Sequence, residues 1–211
     1  MKRYILGSMI FAACAVWASD AINTLTPQEA SQGWKLLWDG KSMDGLKAYG
    51  KAQWTITDGA LVSGGPGGWL GAADDYSDFV LKADFRTSAP NINSGIYLRR
   101  SREDGDSHFI GYEMQIRNQA PNDKPYDGKS DNHNGYFTGS FSGHLKSHNE
   151  PVIEMGKWNT VELTAQGDHF VVMINGMKVL DDHQKDFARG AIGLQHTGQK
   201  IEFRNFKIKA L

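Results

Sequence analysis

Three short segments of the chain, residues 93–99, 111–116 and 190–196, alternate apolar and polar residues with the two-residue period of a β-strand. Because successive side chains of a strand point to opposite faces, the apolar residues of each segment are expected to face a core and the polar residues the other side. The chain is therefore constrained to a β-fold in which one sheet has an apolar face and a polar face.

The polar positions of these segments carry a distinctive set of side chains: Tyr97, Arg99, Glu113, Gln115 and Gln195. A solvated sheet face favours Lys, Thr and Glu, whereas Arg, Gln and Tyr beside a Glu supply bidentate and charged hydrogen bonds that suit a hydroxyl-rich ligand. The polar face is therefore a candidate carbohydrate site. The alternative is an ordinary surface on which Arg99 and Glu113 form an ion pair and the glutamines are solvated.

Similar strand signals recur along the chain, with very little helix between them. Asp58-Gly59 and Asn175-Gly176 are two-residue turn candidates for β-hairpins. Thr26, Pro27 and Glu29 predict the start of one short helix, which should end near Gly33. The predicted strands cover residues 34–38, 54–57, 60–63, 79–87, 92–99, 111–117, 158–166, 169–174, 178–181, 191–195 and 201–209.

About eleven strands joined by tight turns predict an all-β fold, a two-sheet antiparallel sandwich or jelly roll with one short N-terminal helix. The run from Gly64 to Gly68 reads as a flexible turn, and no helix follows it to make a phosphate site. The formal charge of −1 and the pI near 6.6 provide no basic surface, so nucleic acid is not expected as a partner.

The first 18 residues have the composition of an export signal. Lys2 and Arg3 precede an apolar run, and Val16-Trp17-Ala18 is a small-residue cleavage pattern. The run is too short for an ordinary membrane span, so we expect a periplasmic or secreted protein with residues 19–211 as one domain. The alternative is a lipoprotein cleaved before Cys14 and anchored through it.

Residues 118–151 interrupt the rhythm of strands with a segment rich in Asp, Asn, Gly, Ser, His and Lys. A long insertion of this kind is expected to fold over the sheet and shape the site. It contains His133, His144 and His148, whose irregular spacing makes a divalent metal site possible but not favoured over solvated histidines. No cofactor is predicted, and metal-free chemistry is the primary expectation.

Several segments occur in an order that can be compared with known families, namely residues 33–41, 54–62, 76–86, 93–99, 111–116, 156–160, 175–176 and 190–195. Together they closely resemble the 3-keto-disaccharide hydrolase domain family, also described as 3-keto-glucoside lyase/hydratase. The resemblance covers essentially all of residues 19–211, and it implies a concanavalin-like jelly roll acting on glycosides already oxidised at C3.

On this resemblance the substrate is a 3-keto-glycoside, whose C3 ketone acidifies the C2 proton. A general base removes that proton, the C1 substituent leaves, and water can then add to the enone. Glu113 is the candidate base, with His196 or a histidine of the insertion as the partner acid. The remaining candidates stabilise the enolate or orient the sugar, namely Arg99, Gln115, Gln195, Asn93, Tyr97, His133 and His144.

Two other classes of function fit the same residues. A lectin-like carbohydrate-binding module would use the polar face without turnover, since folds of this kind serve binding as well as catalysis. A structural interaction domain would use the face for neither purpose, and sugars would then not change its thermal stability.

Overall fold

A computed structural model describes residues 21–89, 92–102, 110–117, 136–149 and 151–211. These residues form one short helix, α1 (Pro27–Ser31), and thirteen strands. The strands are β1 (Lys35–Leu36), β2 (Leu46–Gly50), β3 (Gln53–Thr57), β4 (Ala60–Gly64), β5 (Gly68–Tyr76), β6 (Phe79–Arg86), β7 (Asn93–Arg100), β8 (Tyr112–Arg117), β9 (Asn159–Gln166), β10 (His169–Ile174), β11 (Met177–His183), β12 (Gly190–His196) and β13 (Glu202–Ala210).

The strands form two antiparallel sheets. The larger sheet has the order β11-β10-β9-β6-β13-β4-β3, with β1 added along β13, and the smaller has the order β2-β5-β12-β7-β8. This arrangement confirms the predicted all-β two-sheet jelly-roll sandwich with one short N-terminal helix. Among the described residues, no helix is long and apolar enough to cross a membrane.

The core lies between the two sheets and is built by the period-two pattern of their strands. On β6 the residues Phe79, Leu81, Ala83 and Phe85 are buried while those between them are partly exposed. Strand β9 repeats the alternation. The smaller sheet contributes Ile96, Leu98, Tyr112, Met114, Ile116, Ile192 and Leu194 to the same cluster.

Local sequence accounts for the two predicted hairpins and for the helix start. Asp58-Gly59 and Asn175-Gly176 both have positive φ at each residue, which the turns joining β3 to β4 and β10 to β11 require. At α1 the Thr26 side chain accepts from the Glu29 backbone and the Glu29 side chain accepts from the Thr26 backbone. All three predictions are confirmed.

Strands β2 and β5 were not predicted from the sequence. The glycine-rich run read as a turn ends at Gly68, where β5 begins, and β5 then pairs with β2 and with β12. Small residues dominate the middle of β5, so it lacks the apolar alternation that marks the other strands. Both strands nevertheless lie inside the smaller sheet and supply part of its polar face.

The described part of the insertion, residues 136–149, runs beside β8. The backbone N–H of Gln115 donates to the Ser140 carbonyl at 2.8 Å, and that of Ser142 donates to the Glu113 carbonyl at 2.9 Å. This segment therefore extends the smaller sheet beyond β8 and covers its edge. The predicted export signal lies outside the described residues and stays a prediction.

Arg99 on β7 connects several loops at one end of the sandwich. Its guanidinium donates to the carbonyls of Ser77 (2.8 Å), Gly167 (2.9 Å) and Phe187 (2.9 Å), and it lies over the Phe170 ring. Asp78 accepts from the same guanidinium at 3.3 Å and from the Gly167 backbone at 2.9 Å. One buried side chain thus joins three turns that are distant in sequence.

We predict that Arg99→Leu lowers the free energy of unfolding by about 3 kcal/mol, because it leaves several carbonyls and a carboxylate without their donor. Urea denaturation would measure the loss. Lys157→Leu is the control, since it removes an exposed pair with Glu154 and should change stability far less than Arg99→Leu does. Equal effects of the two substitutions would contradict the role assigned to Arg99.

Candidate active site

The polar face of the smaller sheet brings five of the predicted site residues together. Tyr97 on β7 lies directly opposite Glu113 on β8, and Gly95 lies opposite Gln115. Gln195 on β12 reaches Tyr97, with its amide nitrogen 2.8 Å from the phenolic oxygen. Asn93, at the start of β7, contacts Gln115. The alternation of the strands therefore places these side chains on one surface, as expected.

Glu113 lies directly over the backbone of Gly95. A Cβ added at residue 95 would be 2.8 Å from Oε1 of Glu113, so only glycine lets the carboxyl group settle against the sheet. Burial raises the pKa of Glu113 to about 7, while the charge of Arg100 and a hydrogen bond from Gln195 act in the opposite direction. The carboxyl group can therefore both accept and release a proton near neutral pH.

The amide of Gln115 lies between Glu113 and Asn93. It is 2.8 Å from Oε1 of Glu113 and 3.0 Å from Oδ1 of Asn93. Turning the amide nitrogen toward Glu113 gives the carboxylate a donor. Asn93 is itself held through its backbone, which contacts the side chains of Thr197 and Gln199. Glu113 is thus oriented by neighbours that are themselves fixed.

A bulge decides which arginine reaches this face. Arg99 has φ of +49°, and the partners of β12 shift so that Tyr97 pairs with Gly193 and Arg100 with Ala191. Three residues of β7 therefore span two of β12, and the alternation is interrupted. The expectation that Arg99 points to the polar face is wrong: it is 2% exposed and bonds the loops described above.

Arg100 takes the place expected for Arg99. Its guanidinium carbon lies 4.1 Å from the centre of the Tyr97 ring and 4.7 Å from that of Trp69. Its positive charge also acts on Glu113 and lowers the pKa of that carboxyl. The site consequently has a cation beside its carboxyl group, supplied by the neighbouring residue.

An aromatic wall bounds the site on the side of β5 and β2. Trp69 stacks on Tyr49 with ring centres 4.1 Å apart and approaches Tyr97 edge-on at 5.8 Å. A Cβ at Gly71 or Gly193 would come within 2.6 Å of the Trp69 ring, so these two glycines make room for it. Sequence reasoning missed Tyr49 and Trp69 because their strands lack the alternating pattern.

The model of the 3-keto-alpha-glucoside-1,2-lyase-like domain matches residues 33–209 of the chain. The chain belongs to this family. This match confirms the resemblance read from the sequence. Membership of the family shows that the protein contains a carbohydrate-active domain. The chain matches no curated protein.

Solved structures share the fold of this chain. Two Parabacteroides distasonis proteins, both provisionally described as glycosyl hydrolases, are 22% and 27% identical with TM-scores of 0.74 and 0.66. The matches cover 90% and 84% of this chain and 100% and 99% of those chains. The carbohydrate-binding module CBM66 from Bacillus subtilis is 15% identical with a TM-score of 0.57, over 79% of this chain and 96% of the module.

His196, the expected partner acid, does not lie on the polar face of the smaller sheet. It follows Gln195 on β12, so its side chain points to the opposite face, where it is 1% exposed. Its Nε2 lies 2.8 Å from the Gly65 carbonyl, and its ring meets Trp54 edge-on. The strand alternation that places Gln195 at the site removes His196 from it.

The histidines of the insertion are also separate from Glu113 where they are described. His144 lies beside the core-facing ring of Tyr112, with its Nδ1 3.3 Å from Gln184 and 3.5 Å from Asp186. Its described contacts are thus with the residues around Tyr112, and its role in substrate binding stays a prediction. His148 lies 3.5 Å from Asp182, and His133 lies outside the described residues.

No group of three or more His, Cys, Asp or Glu side chains in the described part of the chain is arranged to hold a metal ion. Of the candidate ligands in the sequence, His144 and His148 lie within that part and His133 lies outside it. Metal-free chemistry therefore stays a prediction. The chemistry argued below uses only side chains of the polar face.

The raised pKa of Glu113 predicts a pH-dependent stability. The native state binds a proton that the unfolded chain has released between the ordinary pKa of 4.5 and about 7, so the free energy of unfolding falls as pH rises through this window. The shift corresponds to a loss on the order of 3 kcal/mol. Glu113→Gln lacks this titration. Its free energy of unfolding, taken relative to that of the parent protein, should therefore rise by about 3 kcal/mol as the pH rises through this window.

Urea denaturation of both proteins at about pH 4 and about pH 8 measures the difference. Glu162→Gln is the matched control, because Glu162 lies half-exposed on the larger sheet beside Lys82. A constant difference between Glu113→Gln and the parent protein at both pH values would contradict the assigned burial of the carboxylate.

Proposed function

We propose that the protein is an enzyme that cleaves 3-keto-glycosides by removing the C2 proton and eliminating the C1 substituent, with net hydrolysis when water adds to the product. The observation that supports this most is the partly buried Glu113 carboxyl, whose pKa is about 7, with the charge of Arg100 acting on it. A general base works best when its pKa lies near the operating pH.

The chemistry follows from the ketone at C3. Glu113 takes the proton from C2, and the electron pair of that C–H bond moves into the carbonyl to form an enolate. Arg100 provides positive charge for the developing enolate oxygen. The enolate then reforms the carbonyl and a C1–C2 double bond as the bond from C1 to the departing oxygen breaks. Addition of water across that double bond returns a free 3-keto sugar.

Hydrolysis of an unoxidised glycoside by the usual mechanism would need a second carboxyl group about 5 to 9.5 Å from the first. Among the described residues, the strands of the smaller sheet carry carboxylates only at Glu113 on β8 and at Asp74 and Asp75 on β5. Three strand spacings separate β5 from β8, which is roughly 14 Å. Asp75 also pairs with Arg102 at 2.6 Å. Within the described residues, one base beside a cation favours elimination.

The amides around Glu113 supply recognition of sugar hydroxyls. Asn93, Gln115 and Gln195 each offer a donor and an acceptor. The Oε1 atom of Gln195 is buried and has no hydrogen-bond partner within the described residues. A ligand hydroxyl would satisfy it, which supports a carbohydrate as the substrate.

Glycan binding without turnover is the alternative, since the module CBM66 has a similar fold. The two functions separate when the protein is incubated with a 3-keto-disaccharide and with its unoxidised parent sugar. We expect a free 3-keto sugar or an unsaturated keto product from the first and no product from the second. If calorimetry shows saturable binding of sugar but neither sugar yields a product, with or without divalent metal, the proposed enzymatic function is overturned in favour of a binding module.

We predict that Glu113→Gln reduces turnover of the 3-keto-disaccharide by about two orders of magnitude or more, because it removes the proton acceptor while keeping the size and hydrogen bonding of the side chain. Steady-state kinetics measure the effect, and substrate binding should survive. Glu162→Gln, on the outer face of the larger sheet, should leave turnover unchanged. Undiminished turnover in Glu113→Gln would assign the base to another residue.

We also propose that the protein is exported, on the evidence of the basic and apolar N-terminal residues. Intact mass spectrometry of protein purified from the producing cell should find a chain that begins at Ser19. A lipid-modified chain beginning at Cys14 would instead support an anchored form, and a chain retaining residues 1–18 in the cytoplasm would contradict export.

A further inference from the structure

We propose that Tyr97 is a second catalytic residue, whose hydroxyl group donates a hydrogen bond to the C3 oxygen of the substrate as the enolate forms. This inference rests on the proposed elimination and adds a donor to it. With Arg100, Tyr97 would form a two-donor site for the developing oxyanion, while Glu113 holds the C2 proton. No proton leaves Tyr97 in this step, because the hydroxyl only hydrogen-bonds to the negative oxygen.

The position of Tyr97 fits this role. Tyr97 and Glu113 are directly opposite on adjacent antiparallel strands and project from the same face. Opposite side chains in such a pair have Cβ atoms about 4.5 to 5.5 Å apart. The carbon that loses its proton and the oxygen that gains the charge are separated by only one carbon atom. A base and a donor that act on them must therefore lie side by side.

The hydrogen bonds of the phenolic oxygen set the direction of its proton. The oxygen accepts from the Gln195 amide at 2.8 Å and from the Arg100 side chain. A tyrosine hydroxyl has two acceptor positions and one donor. Two donors directed at the oxygen favour an orientation in which the hydroxyl group donates its own proton. Two neighbours thus hold Tyr97 as a donor.

The surroundings of Tyr97 also keep its hydroxyl group protonated and fix its side chain in one conformation. Burial and the negative charge of Glu113 raise the pKa of Tyr97 to about 12, so Tyr97 remains protonated at neutral pH, where Glu113 acts as a base. Its ring is 7% exposed, with the edge of Trp69 at 5.8 Å and the Arg100 guanidinium at 4.1 Å. A donor fixed before the reaction needs no reorganisation when charge develops.

The test compares Tyr97→Phe with Tyr76→Phe on the 3-keto-disaccharide cleaved by the parent protein. Tyr76 lies at the far end of β5 and packs on Phe79. We expect Tyr97→Phe to lower kcat by about 100-fold, with little change in KM, and to slow exchange of the C2 proton with deuterated water equally. Tyr76→Phe should be unchanged. If kcat of Tyr97→Phe is undiminished, or if only KM changes, the catalytic role of Tyr97 is overturned.

A second replacement tests the donor without removing it. A difluorotyrosine at position 97 keeps the size and the hydroxyl group but lowers the phenol pKa, so activity should decline at a lower pH than in the parent protein. A structural tyrosine would leave the pH profile of kcat in place, and that result would overturn the inference. Inactivity of the parent protein on the 3-keto-disaccharide would overturn the proposed function itself, which is a separate outcome.

Discussion

The set of hydrogen bonds around the Arg99 guanidinium is the interaction on which both the fold and the site depend. It holds the carbonyls of Ser77, Gly167 and Phe187 together at one end of the sandwich. To reach them, Arg99 adopts a positive φ, a conformation that costs on the order of 1 kcal/mol or more. The charge-assisted bonds offset that strain. The same bulge turns Arg100 onto the polar face, so the cation of the site is positioned by a structural residue beside it.

Glycines within the strands set the depth of the site. Gly95 lets Glu113 lie against the sheet, and Gly71 and Gly193 let Trp69 do the same. Burial of Glu113 raises its pKa to about 7, which lowers stability at neutral pH and makes the carboxyl group a usable base. A buried carboxyl group whose raised pKa lowers the stability of the folded state is typical of a functional site. The glycines are therefore as much a part of the site as the side chains above them.

Much of the face was predictable, and the errors have physical causes. Glu113, Gln115, Gln195 and Tyr97 follow from the two-residue period of regular strands, and the period held wherever pairing was regular. Arg99 was misplaced because a bulge adds one residue to β7 relative to β12. Tyr49 and Trp69 were missed because small residues in the middle of β5 conceal the strand.

The sequence by itself determined the all-β class, the turns at Asp58-Gly59 and Asn175-Gly176, the capped helix and the family, because these depend on short-range backbone preferences and on residue order. Tertiary structure alone decided which arginine faces the site, why His196 points away from it, and how far the carboxyl group of Glu113 is buried. Those properties depend on the register between strands that are distant in the chain, and a shift of one residue in that register moves a side chain to the other face of the sheet.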